Sequence, residues 1–396
     1  MIPQLFLQKP PKGLLRPGHP WIYSSQLVLG GVQIQPGSLV DVMTERGRFV
    51  GRGYCNTNSQ IAVRLLTPVQ ENIHQEFFRK KIEKAYAYRR RFVRDTNAFR
   101  VVSSEADGLP GFIADLYSEV LVLQFLTAGM ENLKPLLLGA LTEVISPRGI
   151  YERSDSGARK LEGLLERKGW IEKNCGNEVI VHERDIEYRV EFGEGHKTGF
   201  YLDQRENRCH LRDLSLKGRV LDAFCYEGAF GLHLAKGGAR VTGIDIQAEN
   251  LARAELHRQR NGISADALQF KAANVFEELK ELEIKKEKFD LVILDPPSFV
   301  KKKDALEGAM SGFKEISLRA MRILNEGGLL ALFSCSYHVG EDRLMQAAVS
   351  AAADTHKRLK TLRVMTQSLD HPIDPQIPET HYLKGFLFEV SSADEK

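Results

Sequence analysis

Cys335 closes the apolar run Leu329-Leu330-Ala331-Leu332-Phe333 and stands between two serines, in Ser334-Cys335-Ser336-Tyr337-His338. Forty residues earlier a second apolar run, Phe289-Asp290-Leu291-Val292-Ile293-Leu294, ends on Asp295-Pro296-Pro297-Ser298-Phe299. Both runs read as buried strands. In an open α/β sheet the ligand crevice lies outside the carboxyl ends of the strands, so a thiol and a carboxylate would face one pocket. The prolines stiffen the turn that holds Asp295. Such turns equally suit methyl transfer to exocyclic amines, which leaves an N-methyltransferase with a structural Cys335 as one reading. The thiol favours another: C5 of a cytosine does not attack a methyl group until a nucleophile has added to C6. Cys335 is then the candidate nucleophile, and Asp295 the group that hydrogen-bonds the N3/N4 edge of the base. An ordinary thiol has a pKa of about 8.5, so activation needs help, for which His338 is the candidate.

A methyl donor has a place in the same half of the chain. Val220-Leu221-Asp222-Ala223-Phe224-Cys225-Tyr226-Glu227-Gly228-Ala229-Phe230-Gly231 reads as strand, turn and helix start, and Asp245 ends the following strand. A carboxylate at a second strand tip suits the two ribose hydroxyls of a nucleoside. The turn is not Gly-x-Gly-x-x-Gly: Cys225 and Tyr226 stand where a pyrophosphate needs bare backbone, which disfavours a dinucleotide. S-adenosylmethionine carries no phosphate, bears a cationic sulfonium and is compatible with both Asp222 and Asp245. Asn274, in Ala273-Asn274-Val275-Phe276, either reads the adenine amino group or caps the next helix. A Rossmann-like sheet without a ligand, with Gly228 serving only helix packing, is the bland alternative.

The elements that must position these groups form three successive patterns. Residues 1–70 carry short β-like runs, Ser38 to Met43, Arg48 to Tyr54 and Gln60 to Leu66, between Gly- and Pro-rich turns, which indicates a small barrel without long helices. Residues 71–190 mix helix and strand: a hairpin from Gly111 to Thr127, a helix around Glu131 to Ile145, and strands near Gly149 to Glu152 and Val179 to Val190. Residues 191–396 alternate strand and helix as a Rossmann-like α/β series: strand Arg219 to Phe224, helix Gly228 to Lys236, strand Ala239 to Asp245, helix Gln247 to Asn261 and onward. The polar tail Ser391 to Lys396 looks disordered.

Composition bounds the rest. The chain has 396 residues and a net charge of +3, too small by itself to imply nucleic acid. It shows neither a membrane-length apolar run nor a signal sequence, so a cytoplasmic location is expected. Its five cysteines lack metal or disulfide spacing, so no metal is expected. The positive charge is concentrated between Arg79 and Arg94, including Arg79, Lys80, Arg89, Arg90 and Arg91 with aromatics among them. Alone, that segment is a solvated helix with Ile82, Tyr86 and Phe92 packed inward.

Together, Asp222-Ala223-Phe224-Cys225-Tyr226-Glu227-Gly228, Asp245, Asp295-Pro296-Pro297-Ser298-Phe299 and Ser334-Cys335-Ser336, preceded by Lys197-Thr198-Gly199-Phe200-Tyr201-Leu202-Asp203-Gln204-Arg205, resemble the RlmI family of bacterial large-subunit (23S) rRNA cytosine-C5 methyltransferases over the whole chain. The segment Lys12-Gly13 through Arg16 to Trp21-Ile22 is similar to that family's PUA domain, a small RNA-binding barrel. The resemblance implies a PUA barrel, a central α+β domain that helps hold RNA, and a class I methyltransferase domain. It also implies an S-adenosylmethionine site lined by Asp222, Phe224, Gly228, Asp245 and Asp295, with Gln204 and Arg205 near the methionine end, and Cys335 as nucleophile. With rRNA as partner, Lys12, Arg16, Arg79, Lys80, Arg89, Arg90 and Arg91 become candidate phosphate contacts, and the target cytosine is expected to flip into a cleft between the central and catalytic domains. A homodimer is compatible with this organisation, and a non-catalytic RNA-binding protein that keeps the cofactor is the remaining rival. Two departures stand out. Ser298 replaces the second cysteine that two-cysteine RNA cytosine-C5 methyltransferases carry, leaving His338 or water to release the product, and Asn274 stands where such folds often have Asp.

Overall fold

The computed structural model describes residues 2–8, 18–28, 33–193, 198–299 and 306–393. Lys12, Arg16 and Lys197 lie outside the described residues. The chain divides into two compact units, one of residues 1–184, 189–202 and 369–380, the other of residues 185–188, 203–368 and 381–396. Among the described residues no helix is long and apolar enough to cross a membrane.

The N-terminal unit holds two sheets. The first contains β1 (Gln4–Leu7), β2 (Trp21–Tyr23), β3 (Leu27–Val28), β4 (Ser38–Met43), β5 (Phe49–Cys55) and β6 (Ile61–Thr67), in the order β2-β6-β5-β4-β1-β3. Alternate residues, among them Val40, Val42, Ala62 and Leu5, fill its core. The α-helix α1 (Gln75–Phe92) follows and packs on the second sheet. That sheet comprises β7 (Ala98–Ser103), β8 (Phe112–Tyr117), β9 (Val120–Phe125), β10 (Gly149–Ser154) and β11 (Arg167–Glu172), ordered β11-β10-β9-β8-β7, with α2 (Ala128–Asn132), α3 (Lys134–Ile145) and α4 (Gly157–Leu161) in its connections. β12 (Glu178–Glu183) and β13 (Ile186–Glu191) form a separate two-stranded ribbon. Tyr54 joins the two sheets: its buried hydroxyl donates to the Pro110 carbonyl at 2.6 Å and pairs with Thr127 Oγ1 at 2.9 Å. A Cβ on Gly129 would fall 2.0 Å from the Tyr54 ring, so this contact requires glycine.

The second unit is one seven-stranded sheet with helices. In chain order it runs α5 (Arg205–Asp213), β14 (Arg219–Ala223), α6 (Ala229–Lys236), β15 (Arg240–Asp245), α7 (Ala248–Arg260), β16 (Leu268–Ala272), α8 (Val275–Ile284), β17 (Phe289–Leu294), α9 (Leu306–Ile323), β18 (Leu324–Ser334), α10 (Glu341–Asp354), β19 (Lys357–Thr366) and β20 (Lys384–Ser392). The sheet order is β16-β15-β14-β17-β18-β20-β19. Chain order reverses direction at β14, which pairs in parallel with β15 on one side and β17 on the other. β20 alone runs against its neighbours, inserted between β18 and β19. Contrary to the expectation of a disordered tail, Ser391 and Ser392 belong to β20, and Ser392 bonds Glu326 through its amide at 2.7 Å and its hydroxyl at 2.7 Å.

One candidate phosphate contact is overturned here. Arg89 lies on the inner face of α1 with no exposed surface, because its guanidinium forks onto Asp107 at 2.6 and 2.7 Å and donates to the carbonyls of Arg100 at 3.0 Å and Asp370 at 2.9 Å. It fastens the helix to β7, to the turn after it and to the returning segment 369–380. Phe92, expected inside, is exposed. Removing one partner of a buried, hydrogen-bonded ion pair strands the other charge at a cost of about 3–5 kcal/mol. Arg89→Ala should therefore lose about that much stability in the N-terminal unit, which contains both tryptophans, Trp21 and Trp170. Urea unfolding followed by tryptophan fluorescence measures it, and an unchanged midpoint would refute the structural role.

Candidate active site on the methyltransferase sheet

The first turn of the sheet is built from left-handed residues. Phe224 (φ 63°), Tyr226 (φ 52°) and Gly228 (φ 75°) alternate through it, and Gly228 is the one that no side chain could replace: a Cβ would sit 2.7 Å from the Phe270 ring. The amide of Tyr226 donates to Asp245 Oδ2 at 3.0 Å. The turn thus spends a backbone N–H on the neighbouring strand's carboxylate rather than presenting it to a phosphate, which gives the non-dinucleotide reading of this turn a physical basis. Asp245 Oδ1 accepts from the Gln247 amide at 2.9 Å and from Asn250 Nδ2 at 3.3 Å. Cys225 is buried behind the turn, and burial pushes its thiol well up.

Asp222 ends one residue short of β14's tip. It is 1% exposed and accepts from the Gly231 amide at 3.0 Å, but it forms no ion pair among the described residues. Desolvation first, then the charges of Asp295 and Asp245, push its carboxyl up to about 7. Asp295, at the tip of β17, accepts from Gln204 Nε2 at 2.9 Å, and Gln204 is held in turn by Asn207 at 2.6 Å. The segment before α5 therefore reaches the same edge as the strand tips. Arg205 is buried at the start of α5, and Phe224 is half-buried against Phe276. Asn274 caps α8, its side-chain oxygen accepting from the Phe276 amide at 2.9 Å, and it remains exposed.

At the end of β18, Ser334 is buried while Cys335 is exposed, so the thiol emerges as the strand leaves the core. His338 is exposed and meets Tyr337 edge-on at 5.5 Å. Sequence reasoning missed a further group here: Lys384, the first residue of β20, pairs in register with Ser334 and is 6% exposed. Its signal was faint, since nothing in the sequence of Tyr382-Leu383-Lys384-Gly385 announces which strand it will join.

The N-terminal unit presents a second feature. On α1, Lys80, Arg90 and Arg91 are exposed, and Arg79 is tied to Glu76 at 2.6 Å and Glu83 at 3.0 Å. Lys80, Lys81 and Lys84 form one wall of a cavity of about 810 Å³, with Leu65, Leu66 and Tyr88 among its other lining residues. Lys81 and Lys84 form no ion pair among the described residues, and burial lowers the affinity of Lys81 for its proton. The acids on the walls are engaged elsewhere: Asp107 with Arg89, Glu105 with Trp21 Nε1 at 3.0 Å, and Asp374 with the Gln376 amide at 2.9 Å.

A parallel sheet reversing at its first strand, an added antiparallel strand and carboxylates gathered at the strand ends define a methyltransferase class. Residues 214–380 match a methyltransferase domain and residues 7–68 a PUA-like domain. The chain is 38% identical over 379 residues to the ribosomal RNA large subunit methyltransferase I of Shewanella denitrificans, covering 94% of this chain and 95% of that one. It is 38% identical over 395 residues to the protein of that name from Alteromonas mediterranea, covering 99% and 100%. A provisionally assigned SAM-dependent methyltransferase from Streptococcus mutans shares the fold at 20% identity, with a TM-score of 0.83 over 98% of this chain and 100% of that one. The chain belongs to the ribosomal RNA large subunit methyltransferase I family.

The raised carboxyl of Asp222 has a measurable consequence. Between the ordinary carboxylate value and about 7 the folded state keeps a proton that the unfolded state has lost, so stability contributed by this group falls as pH rises through that window. Asp222→Asn retains an acceptor for the Gly231 amide and removes the charge. The variant should be close to wild type in stability at pH 4 and more stable at pH 8, by at most about 4 kcal/mol, since each pKa unit corresponds to about 1.4 kcal/mol. Calorimetry at the two pH values tests this. An equal shift at both would contradict a buried, protonated Asp222.

Proposed function

We propose that this enzyme transfers a methyl group to C5 of a cytosine in 23S-type rRNA, using Cys335 as a covalent nucleophile. The observation that carries the reading is the emergence of an exposed thiol at the β18 tip, on the sheet edge where Asp222, Asp245 and Asp295 also end. The donor set fits S-adenosylmethionine: Asp245 offers carboxylate acceptors to ribose hydroxyls, Gly228 keeps one position of the turn free of a side chain, and the acidic edge suits a cationic ligand. Gln204, Arg205, Asp222, Phe224, Gly228, Asp245, Asn274 and Asp295 would hold it, and when bound it supplies an electrophilic methyl carbon.

The chain's own groups do the rest. The Cys335 sulfur bonds to C6 of the base, the C5–C6 double bond opens and C5 becomes nucleophilic enough to accept a methyl group. Asp295 accepts hydrogen bonds from the amino edge of the ring. Loss of the C5 proton and departure of the sulfur with its electron pair restore aromaticity. Ser298 sits exposed beyond the Asp295-Pro296-Pro297 turn and offers no second thiol, so solvent or His338 takes that proton. Residues 1–70, 71–190 and 191–396 would act as RNA-binding barrel, RNA-holding centre and catalytic part, working in the cytoplasm on RNA. A cytosine reaches the thiol only when unstacked.

RNA containing 5-fluorocytidine should form a stable adduct on Cys335, because fluorine cannot leave as the proton does, and Cys335→Ala should abolish both adduct and methyl transfer. Survival of methyl transfer in that variant would replace this mechanism by N-methylation.

The lysine-walled cavity supports phosphate binding by the N-terminal unit, with Lys81 and Lys84 replacing Arg89 among the candidates and Lys80 kept beside them. Each lost phosphate contact reduces the slope of log affinity against log salt by about 0.7–0.9. The double variant Lys81→Gln/Lys84→Gln should lower that slope by about 1.5 in filter binding to an rRNA fragment. An unchanged slope would place the phosphates elsewhere.

A further inference from the structure

Cys335 must lose its proton to act, and His338, the neighbour that the sequence offers for this, is exposed and turned toward Tyr337. The sheet offers a different cation. β20 runs antiparallel to β18, so it begins where β18 ends, and Lys384 pairs with Ser334, the residue immediately before the thiol. From there the buried ammonium donates to the Ser336 carbonyl, one residue past the thiol, at 3.5 Å and to the Tyr382 carbonyl at 3.2 Å. Its backbone thus pairs with the residue before the cysteine while its ammonium is anchored on the carbonyl of the residue after it. An ammonium has three protons to donate, and two are directed at carbonyls.

Glu341, at the start of α10, acts on Lys384 and is itself within 3.6 Å of His381 Nε2. Desolvation weakens the hold of Lys384 on its proton, while the charges of Glu341 and Cys335 strengthen it. A thiolate beside a buried, carbonyl-held ammonium gains from a charge that water does not screen.

We propose that Lys384 is the positioning residue that keeps Cys335 in its thiolate form, through the antiparallel pairing of β20 with β18. The inference rests on Cys335 being the nucleophile, but its test does not require methyl transfer. The thiol proton goes to solvent, the sulfur keeps the electron pair, and Lys384 remains protonated throughout. His338 is left for later proton traffic or for none.

Iodoacetamide reports the thiolate directly: a sulfur–carbon bond forms, the carbon–iodine bond breaks and iodide leaves. Its rate at Cys335, followed by peptide mass spectrometry on the intact protein from pH 5 to 10, should rise in wild type with a midpoint below the ordinary value of about 8.5. Lys384→Met should move the midpoint up by about one unit, a tenfold slower reaction at pH 7, and Lys384→Arg should restore it in large part. Glu341→Gln, at an exposed helix start, should move it the other way and serves if Lys384→Met does not fold. A profile unchanged by both Lys384→Met and Glu341→Gln overturns the proposal, as does a His338→Ala shift as large as that of Lys384→Met. Survival of methyl transfer in Cys335→Ala, by contrast, would remove the nucleophile assignment while leaving the alkylation result standing.

Discussion

Gathering three carboxylates at one end of a parallel sheet is the constraint on which the catalytic unit turns. Strands β14, β15 and β17 run side by side in register, so Asp222, Asp245 and Asp295 reach the same edge, and Asp222 does so wholly buried. Burying an ionised carboxylate without a cation costs several kcal/mol, and that cost pushes the Asp222 carboxyl up to about 7. Asp245 is treated differently, its two oxygens satisfied by an amide from the turn after the neighbouring strand β14 and one from the helix start that follows its own strand. The outcome is an edge with one carboxylate poised to ionise and one already fixed in place, which is an arrangement suited to a cationic nucleoside and not to a phosphate.

The N-terminal unit solves a different problem, that of attaching a barrel to an α+β sheet. Tyr54 and Gly129 do it by shape, with ring on bare backbone, whereas Arg89, Arg100 and Asp370 tie α1 and the segment 369–380 to β7 by charge. Arg100 forks onto Asp115 at 2.7 and 2.9 Å, its amide donates to Asp370 at 2.9 Å, and Asp370 lends its carbonyl to Arg89. The segment 369–380 is thus held by polar contacts in a unit to which it does not belong by sequence order. Buried ion pairs of this kind specify an arrangement more than they stabilise it relative to an apolar one, and here the arrangement specified is the return of a distant piece of chain.

Much of this was readable from residue order, for reasons that also explain what was not. Apolar runs of strand length ending in Asp295 and Cys335 announce themselves because strands buried on both faces carry few polar residues, while Asp222 and Asp245 are marked by their place at the ends of shorter β-like runs. The barrel strands were legible through their turns. Arg89 was not: in Arg89-Arg90-Arg91 the three residues are chemically identical, and only the phase of α1, fixed by Phe78, Ile82 and Ala85, turns the first inward. Lys384 was hidden for a different reason. Its partner in the ladder is fifty residues away, and no local pattern reveals that β20 will insert antiparallel between β18 and β19.

That insertion is what would let a lysine serve the proposed thiolate from a buried position that the exposed histidine beside the thiol lacks. Side chains from parallel strands reach the ligand edge only from their last residues, and those places are taken by the acids and the thiol. An antiparallel strand reaches the same edge with its first residue, which gives the sheet one independent position from which to introduce positive charge. Placing that charge on buried β20 rather than on the exposed turn after Cys335 shields it from solvent and salt, and screening is what weakens an exposed pair. From β20, Lys384 in its proposed role would bring positive charge to the turn that carries Cys335 while leaving the strand-tip carboxylates for the methyl donor.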